Sequence, residues 1–244
     1  MRVFLAGATG AIGRPLSYLL VAAGHEVTGT TRSRSKAEEL KSRGIEPAVV
    51  DVFDSSNLMA AVIGARPDAV IHQLTDLPKV FDQARLKDAV HRNSLLRIEG
   101  TANLIAATRA AGSRRLVAQS IAFAYADGPQ PHLESDALAS PEGNQTSAVT
   151  VRGVRALEEA VLNAHGIEGI VLRYGRLYGP GTWNEVSLSR ASLHVDAAAH
   201  AAFIAITRGR MGIYNIGEDD GAISIEKARQ ELGFDPAFRL PPGA

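Results

Sequence analysis

Short apolar runs alternate with longer amphipathic stretches through most of the chain. The short runs predict strands, and the amphipathic stretches repeat apolar side chains at the spacing of a helix. The predicted strands are Val3–Ala6, Glu26–Thr30, Ala48–Val50, Ala69–His72, Arg115–Gln119 and Gly169–Arg173. The predicted helices are Ile12–Ala23, Ser35–Arg43, Leu58–Ile63, Asp82–Ala110 and Ala148–Ala164. Strands that alternate with helices of this length indicate right-handed βαβ units and a parallel sheet, which predicts an α/β fold.

The pattern weakens after Gly179, where the elements become shorter. The elements predicted there are a strand near Leu193, a helix over Asp196–Thr207, a strand over Ile213–Ile216 and a helix over Ser224–Leu232. The segment Asp127–Asn144 is rich in proline, glycine, serine and acidic residues, so we predict a loop. We expect residues 1–178 to form a nucleotide-binding domain. Residues 179–244 would form a shortened segment whose strand near 212–216 joins the same structural unit.

A glycine-rich turn joins the first strand to the first helix, with the sequence Gly7-Ala8-Thr9-Gly10-Ala11-Ile12-Gly13. The first glycine allows a tight turn, the second lets the backbone approach a pyrophosphate, and the third lets helix and strand pack closely. The amino end of the helix adds free N–H groups and a positive dipole end. The spacing is G-x-x-G-x-x-G rather than G-x-G-x-x-G, but its place between strand and helix predicts a dinucleotide site. We expect six of its residues to bind the cofactor: Gly7, Thr9, Gly10, Ala11, Ile12 and Gly13.

The end of the second predicted strand bears on the choice between NAD(H) and NADP(H). An NAD-preferring site usually places an acidic residue there, where it binds the ribose 2′-hydroxyl. This chain has Thr30-Thr31-Arg32-Ser33-Arg34 instead, and a guanidinium group can pair with a 2′-phosphate. We therefore predict NADP(H) as the preferred cofactor, held by Thr31 and Arg32, with NAD(H) as the alternative. The two arginines could also be a solvated flank of the next helix.

Composition argues against several other classes of protein. The 244 residues are 45% hydrophobic and 21% charged, which argues against disorder. Lys and Arg number 26, as do Asp and Glu, so we expect no nucleic-acid binding. The chain has no cysteine, no histidine pair with metal-ligand spacing and no Gly-x-Ser-x-Gly, so we expect neither a metal nor a hydrolase nucleophile. No apolar run reaches the roughly 18 residues of a membrane span. The run Arg2–Ala6 is typical of a strand, whereas a signal peptide would need a basic start, a longer apolar stretch and a cleavage site, so we expect a cytoplasmic protein.

Seven stretches together resemble the extended or atypical short-chain dehydrogenases/reductases, the NAD-dependent epimerase/dehydratase family. They are Gly7–Gly13, Asp51–Asp54, Val70–Leu74, Gly100–Ile105, Leu172–Pro180, His194–Asp196 and Tyr214–Ile216. The resemblance implies a Rossmann-type doubly wound parallel sheet with a small substrate-side region, and hydride transfer with NAD(P). It implies that Asp51 and Val52 flank the adenine, and that Leu74 and Thr75 line the ribose and diphosphate. It also implies a homodimer formed through the helices Asp82–Ala110 and Ala148–Ala164.

The chain departs from the family pattern where protons are transferred. The family carries a Tyr-x-x-x-Lys pair, in which the tyrosine transfers the proton and the lysine lowers the tyrosine pKa and holds the nicotinamide ribose. The aligned positions here are Val151 and Arg155. Valine has no proton to transfer, and arginine stays charged at ordinary pH. The family's catalytic Ser or Thr falls on Ile121, with Ser120 one residue earlier, and two family asparagines are replaced by arginines, which are Arg97 and Arg176.

We therefore hypothesise an atypical catalytic site. Tyr125, just past the fifth strand, is the first candidate for the acid, with Tyr174 or a substrate-bound water as alternatives. The Tyr125 hydroxyl has an unperturbed pKa near 10, so it needs a cationic neighbour to act as the acid. Ser120 would supply the catalytic hydroxyl, and Arg155 would hold the ribose. Tyr174 and Arg176 are expected to contact the substrate.

Two functions remain open from the sequence. The first is an NAD(P)-dependent oxidoreductase that acts by hydride transfer on a small carbonyl or sugar-like molecule. The second is a catalytically silent NADP(H)-binding sensor or partner-binding module, which the missing Tyr-x-x-x-Lys pair favours. Arg173 and Arg190 are further candidates for contact with a substrate anion, or else ordinary surface salt bridges. Trp183 is expected to pack over the crevice.

Overall fold

The computed structural model describes residues 1–78, 81–142 and 146–241. Its strands are β1 Arg2–Ala6, β2 Glu26–Thr31, β3 Glu46–Val49, β4 Ala69–His72, β5 Arg115–Ile121, β6 Glu168–Tyr174, β7 Arg176–Tyr178, β8 Ser192–His194 and β9 Gly212–Ile216. Its α-helices are α1 Gly13–Ala22, α2 Arg34–Ser42, α3 Ser55–Ala65, α4 Gln83–Leu95, α5 Thr101–Ala110, α6 Thr146–Leu162, α7 Val195–Ile204 and α8 Glu226–Leu232. Gly143 and Asn144, the last residues of the predicted loop, lie outside the described residues.

Seven strands form one sheet in the order β3-β2-β1-β4-β5-β6-β9, and every neighbouring pair is parallel. The predicted Rossmann-type doubly wound sheet is therefore confirmed. The chain runs outward from β1 to β3, returns to β4 beside β1, and then runs outward in the other direction. In open α/β sheets the ligand crevice lies beyond the carboxyl ends of the strands at such a reversal.

Alternate residues of the central strands pack on opposite faces of the sheet. In β1, Val3 and Leu5 belong to the apolar cluster that contains residues of α1, α2, α7 and α8. Phe4 and Ala6 belong to the cluster on the other face, with residues of α3, α5 and α6. Both faces are covered by helices, which explains why these strands are continuous apolar runs rather than alternating patterns.

The predicted helix Asp82–Ala110 is interrupted once. Asp82 caps its start, because the carboxylate accepts a hydrogen bond from the amide of Ala84 at 3.0 Å. Leu96–Gly100 forms a π-helical turn between α4 and α5. A π-turn of this kind adds a residue to the helix and is frequent at functional sites. Apolar spacing does not predict it, because the helical pattern continues on both sides.

The residues after Gly179 are built onto the same sheet. The last strand, β9, pairs with β6, and Leu172 lies opposite Tyr214. The strand β7, which the apolar pattern does not predict, pairs with β8 in a separate two-stranded sheet. Within the described ranges, no helix is long and apolar enough to cross a lipid bilayer.

Candidate functional site

The glycine-rich turn forms a close cradle at the carboxyl end of β1. Gly7 has a φ of +98°, and a Cβ atom there would lie 2.6 Å from the carbonyl oxygen of Gln73. At Gly13 a Cβ atom would lie 2.0 Å from the carbonyl oxygen of Gly7. The amide of Gly7 donates to Thr30 Oγ1 at 2.9 Å, which ties the turn to β2. Both positions therefore require glycine, as expected of a turn that brings backbone close to a diphosphate.

Helix α1 opens directly from this cradle. Among the described residues, no side chain caps its first amide groups. Its amino end therefore presents N–H groups and the positive end of the helix dipole to an anion. The predicted cofactor residues Thr9, Gly10, Ala11 and Ile12 lie in the turn that leads into it. The cradle fits the diphosphate of a dinucleotide.

A cluster of charged side chains lies at the end of β2, near the predicted adenosine ribose. Asp76, in the loop after β4, accepts hydrogen bonds from Arg32 Nη2 at 3.1 Å and from Arg92 Nε at 3.0 Å. The backbone amide of Asp76 donates to Asn93 Oδ1 at 3.1 Å. The Arg32 side chain is 61% exposed. Two guanidinium groups on one carboxylate leave a net positive charge at this end of the crevice. Thr31, which precedes Arg32 and is also a predicted cofactor residue, is buried.

The residues predicted to flank the adenine lie between β3 and α3. Asp51 Oδ1 accepts a hydrogen bond from the amide of Phe53 at 3.0 Å. The carbonyl of Val52 accepts one from Asn103 Nδ2 at 3.0 Å. A Cβ atom on Gly100 would lie 3.1 Å from Val52 Cγ1, so the helix backbone approaches this loop closely. The beginning of α5 thus fixes the loop after β3.

A buried histidine fixes the end of β4. His72 Nδ1 accepts a hydrogen bond from the amide of Leu74 at 3.2 Å, and Nε2 bonds to Thr101 Oγ1 at 3.1 Å. Burial lowers the pKa of His72 to about 4, and the charge of Arg97 contributes in the same direction. The ring is therefore neutral at pH 7 and holds the loop in place. Leu74 and Thr75, the predicted cofactor residues, follow directly, and Thr75 is exposed.

The two positions aligned with the Tyr-x-x-x-Lys pair have different surroundings. Val151 is 3% exposed and packs with Val154 in a small apolar cluster. Arg155 is exposed, and its Nη2 donates to the carbonyls of Leu138 at 2.8 Å and Ala139 at 3.1 Å. In this structure the Arg155 guanidinium bonds to the loop before α6, and its contact with the ribose stays a prediction.

A buried ion pair lies next to Ser120. Arg173 and Glu158 are joined twice, from Nη2 to Oε2 at 2.6 Å and from Nε to Oε1 at 2.9 Å. Their side chains are 4% and 6% exposed. Ser120 Oγ donates to Glu158 Oε1 at 2.6 Å, so the predicted catalytic hydroxyl is bonded inside the protein. Arg173 is the buried partner of a helix carboxylate rather than a surface residue.

Both hydrogen-bonding roles of the Tyr125 hydroxyl are filled. It donates to Asn215 Oδ1 at 2.6 Å and accepts from Arg173 Nη1 at 2.8 Å. His132 stacks on its ring, with the centroids 4.9 Å apart. Burial raises the pKa of Tyr125, and the charge of Arg173 offsets only part of this effect. Arg173 is the cationic neighbour that the hypothesis requires, but the hydroxyl remains a weaker acid than an ordinary tyrosine.

Tyr174 is enclosed at the end of β6. It is 2% exposed, and its hydroxyl accepts a hydrogen bond from Gln73 Nε2 at 3.1 Å. Burial raises the pKa of Tyr174. Gln73 Oε1 is buried with no partner among the residues that the structure describes. Substrate contact or proton transfer at Tyr174 would require this hydroxyl to become accessible.

Exposed aromatic side chains follow β5 and β7. The Arg176 guanidinium lies over the ring of Phe123, with its Cζ 4.5 Å from the ring centroid. Trp183 Nε1 donates to the carbonyl of Pro78 at 2.8 Å, and its ring meets that of Phe81 at 5.4 Å between centroids. Trp183 thus joins the loop after β7 to the loop after β4. Arg176 is exposed, and its contact with a substrate stays a prediction.

Sequence patterns miss the roles of two charged residues near the site. Asp76 pairs with Arg32 across the crevice, but no local motif connects residues so far apart in the chain. Arg97 stands out in the sequence only as the replacement for a family asparagine. In the structure it is 8% exposed in the π-helical turn. Arg190, the other predicted anion contact, donates to the carbonyl of Asp220 at 2.9 Å.

Residues 3–192 match the NAD dependent epimerase/dehydratase family. A 3-diazoavenalumate denitrifying reductase of Streptomyces sp. is 39% identical over 264 residues, which covers 99% of this chain and 84% of that protein. A 4-hydroxy-2-methyl-3-oxo-4-farnesyl-3,4-dihydroquinoline-1-oxide ketoreductase of Stigmatella aurantiaca is 32% identical over 56% of this chain and 38% of that protein. A 2-alkyl-3-oxoalkanoate reductase of Stenotrophomonas maltophilia is 28% identical over 74% of this chain and 52% of that protein. The chain thus spans most of the first relative and about half or less of the other two.

Two solved structures share the fold over nearly the whole chain. A UDP-glucose 4-epimerase of Thermotoga maritima with UDP-glucose superposes with a TM-score of 0.78 at 17% identity, covering 98% of this chain and 94% of that one. A UDP-glucose-4-epimerase from Stenotrophomonas maltophila with bound NAD gives a TM-score of 0.72 at 17% identity, with the same coverage of both chains. At this identity the likeness shows the fold alone.

Proposed function

We infer that this chain, which belongs to the NAD dependent epimerase/dehydratase family, is a reductase that uses NADPH to reduce a small molecule. Membership of the family makes it an NAD(P)-dependent protein of the oxidoreductase or epimerase type. When bound, NADPH supplies a hydride from C4 of its dihydronicotinamide ring. The residues of this chain hold the cofactor, orient it and receive the substrate beside it.

In this proposal the cofactor lies across the carboxyl ends of the strands. Gly7–Gly13 and the amino end of α1 would hold its diphosphate, and Arg32 and Asp51 would hold its adenosine half. Arg32 favours NADPH over NADH, because its exposed guanidinium can turn from Asp76 to a 2′-phosphate. Arg92 would then remain on Asp76 and neutralise that carboxylate.

The observation that carries the proposed chemistry is the state of the candidate proton donors. The Tyr125 hydroxyl is bonded to Asn215 and Arg173, Tyr174 is buried, and Val151 has no proton to transfer. Reduction of a carbonyl requires a proton as well as a hydride. A hydride acceptor that needs no proton fits this site better.

We therefore propose an aryl diazonium as the substrate class. The hydride forms a new bond to the ring carbon, the carbon–nitrogen bond breaks, and N2 leaves with the electron pair of that bond. The products are the arene, N2 and oxidised cofactor, so atoms and charge balance without a proton from the protein. Support comes from the Streptomyces relative, whose name describes a denitrifying reductase of a diazo compound.

The exposed side chains near the crevice suit an aromatic substrate with an acidic group. The rings of Phe123, Phe81 and Trp183 offer apolar faces. Arg176 offers a guanidinium group to a carboxylate. In this proposal Tyr125 and Ser120 are positioning residues. Ser120 of β5 bonds to Glu158 of α6, and Tyr125, just past β5, bonds to Arg173 of β6 and Asn215 of β9.

Silent binding of NADP(H), as a sensor or a partner-binding module, is the competing function. The missing Tyr-x-x-x-Lys pair and the engaged Tyr125 hydroxyl also favour it. Calorimetric titration with NADPH, NADP⁺ and NADH comes first, because both functions require binding. NADPH oxidation is then followed with 4-carboxybenzenediazonium and with 4-carboxybenzaldehyde, after subtraction of the protein-free reaction.

We expect oxidation of NADPH with the diazonium alone, one N2 released per NADPH, and deuterium on the ring carbon when C4-deuterated NADPH is used. Turnover of the aldehyde that is lost in Tyr125→Phe would contradict the proposed substrate class and restore Tyr125 as the acid. Binding without turnover of either compound would favour the silent function. Absence of NADPH binding would exclude both.

A further inference from the structure

Arg97 is a largely buried cation for which the described part of the chain offers no hydrogen-bond or ion-pair partner. Its side chain is 8% exposed, and within residues 1–78, 81–142 and 146–241 no hydrogen bond or ion pair to its guanidinium is found. Burial lowers the pKa of Arg97 to about 10, and the charge of Glu158 offsets part of this effect. The Glu158 carboxylate is already bonded to Arg173 and Ser120. The Arg97 nitrogens are not among the fully enclosed side-chain atoms of the described residues that lack a partner, so they reach the surface, where atoms of a ligand can accept their hydrogen bonds.

The neighbours of Arg97 place it beside the loop after β4. Asn93, about one helical turn earlier, accepts a hydrogen bond from the amide of Asp76. Thr101, about one turn later, bonds to His72. The charge of Arg97 also lowers the pKa of His72. Asn93 and Thr101 therefore hold the two ends of the loop that borders the crevice, and Arg97 lies between them in the chain, close enough to influence His72.

In the proposed binding mode, the order of the strands indicates which part of a dinucleotide would lie there. The glycine-rich cradle follows β1, and Arg32, the proposed contact of the 2′-phosphate, follows β2. The nicotinamide half would then extend the other way, over β4 and β5. Its ribose hydroxyls are hydrogen-bond acceptors, and a guanidinium group is purely a donor. Arg97 lies next to β4, and Arg155 is already engaged with the carbonyls of Leu138 and Ala139.

We propose that Arg97 binds the nicotinamide ribose and that its charge makes the site prefer the reduced cofactor. The oxidised nicotinamide ring carries a positive charge and the reduced ring carries none, so a nearby guanidinium repels only the oxidised form. The site therefore retains NADPH and releases NADP⁺, which suits a reductase. This inference rests on the proposed NADPH binding and adds the direction of the reaction to it.

The test compares Arg97→Met, which removes the charge at similar length, with Arg97→Lys, which keeps it. Arg109→Met is the matched control, because Arg109 is an exposed arginine of α5. Calorimetry gives the Kd of NADPH, of NADP⁺ and of 2′,5′-ADP, which contains the adenosine half alone. We expect Arg97→Met to weaken NADPH by about tenfold and to reduce the preference for NADPH over NADP⁺ by about tenfold. Binding of 2′,5′-ADP should not change, and Arg97→Lys should keep the preference for NADPH.

Thermal unfolding without cofactor checks the fold of each variant. Arg97→Met should unfold at the same temperature as wild type or higher, because it removes a desolvated charge. An unchanged preference for NADPH in Arg97→Met would overturn the inference, as would equal weakening of 2′,5′-ADP and NADPH. Loss of the preference in Arg155→Met instead would assign the role to Arg155. Absence of NADPH binding in the wild type would be a failure of the proposed function itself.

Discussion

Among substitutions that remove one charge, we expect the largest loss of stability at the buried ion pair between Arg173 and Glu158. Glu158→Gln keeps the size of the side chain and removes its charge. Arg173, whose side chain is 4% exposed, would then be buried without its counterion. Arg97 would also lose a nearby negative charge. The amide oxygen of glutamine can still accept the hydrogen bond from Ser120, so the change removes mainly charge.

Removing one partner of a buried pair costs about 3–5 kcal/mol, because the other charge stays desolvated. In a chain of 244 residues, each 1 kcal/mol lowers Tm by roughly 2–4 °C. We therefore expect Glu158→Gln to lower Tm by about 6–20 °C. The double variant Glu158→Leu/Arg173→Met should recover most of this loss, since replacing both charges with apolar side chains is often close to neutral.

Scanning calorimetry and urea unfolding measure these effects. Glu159→Gln is the control, because its exposed carboxylate is the next residue of α6. We expect it to stay within about 0.5 kcal/mol of wild type. A loss below about 1 kcal/mol in Glu158→Gln, or a double variant no more stable than the single one, would refute the argument from burial.

Three further predictions concern the cofactor site and the pH dependence of the protein's stability. Arg32→Ala should weaken NADPH about tenfold in calorimetry and NADH much less, and equal weakening would remove the cofactor preference. Gly13→Ala should abolish NADPH binding, because its Cβ would lie 2.0 Å from a backbone oxygen, whereas Gly64→Ala in open space should not. The unfolded state binds a proton at His72 below about pH 6.5, but the folded state does so only below about pH 4. Stability is therefore full above pH 6.5 and falls by up to about 3 kcal/mol toward pH 4 in urea unfolding, and an equal fall in His72→Gln would contradict this assignment.

Local chemistry made much of the fold and the cofactor cradle predictable. Strands such as Ala69–His72 are short apolar runs, and their parallel pairing follows from the helices between them. The cradle is predictable because Gly7 and Gly13 meet steric demands that no other residue meets. These features depend on residues close together in the chain, so the sequence contains their signal directly.

The contacts that redefine the chemistry join residues far apart in the chain. Arg173 and Glu158 interrupt apolar faces of β6 and α6, and this interruption is the one signal that they are paired in the core. Arg32 meets Asp76 only once β2 and β4 stand on either side of β1. Whether Arg97 has a partner among the described residues depends on the contacts of all the side chains around it, so no local motif predicts it.

The seventh strand of the sheet makes the carboxyl-terminal quarter of the chain indispensable. Without β9, the apolar strand β6 would become an open edge, which invites pairing with other molecules. Tyr125 would also lose Asn215, the acceptor of its hydroxyl. A truncated product ending at residue 178 would therefore aggregate instead of surviving as a small coenzyme-binding module.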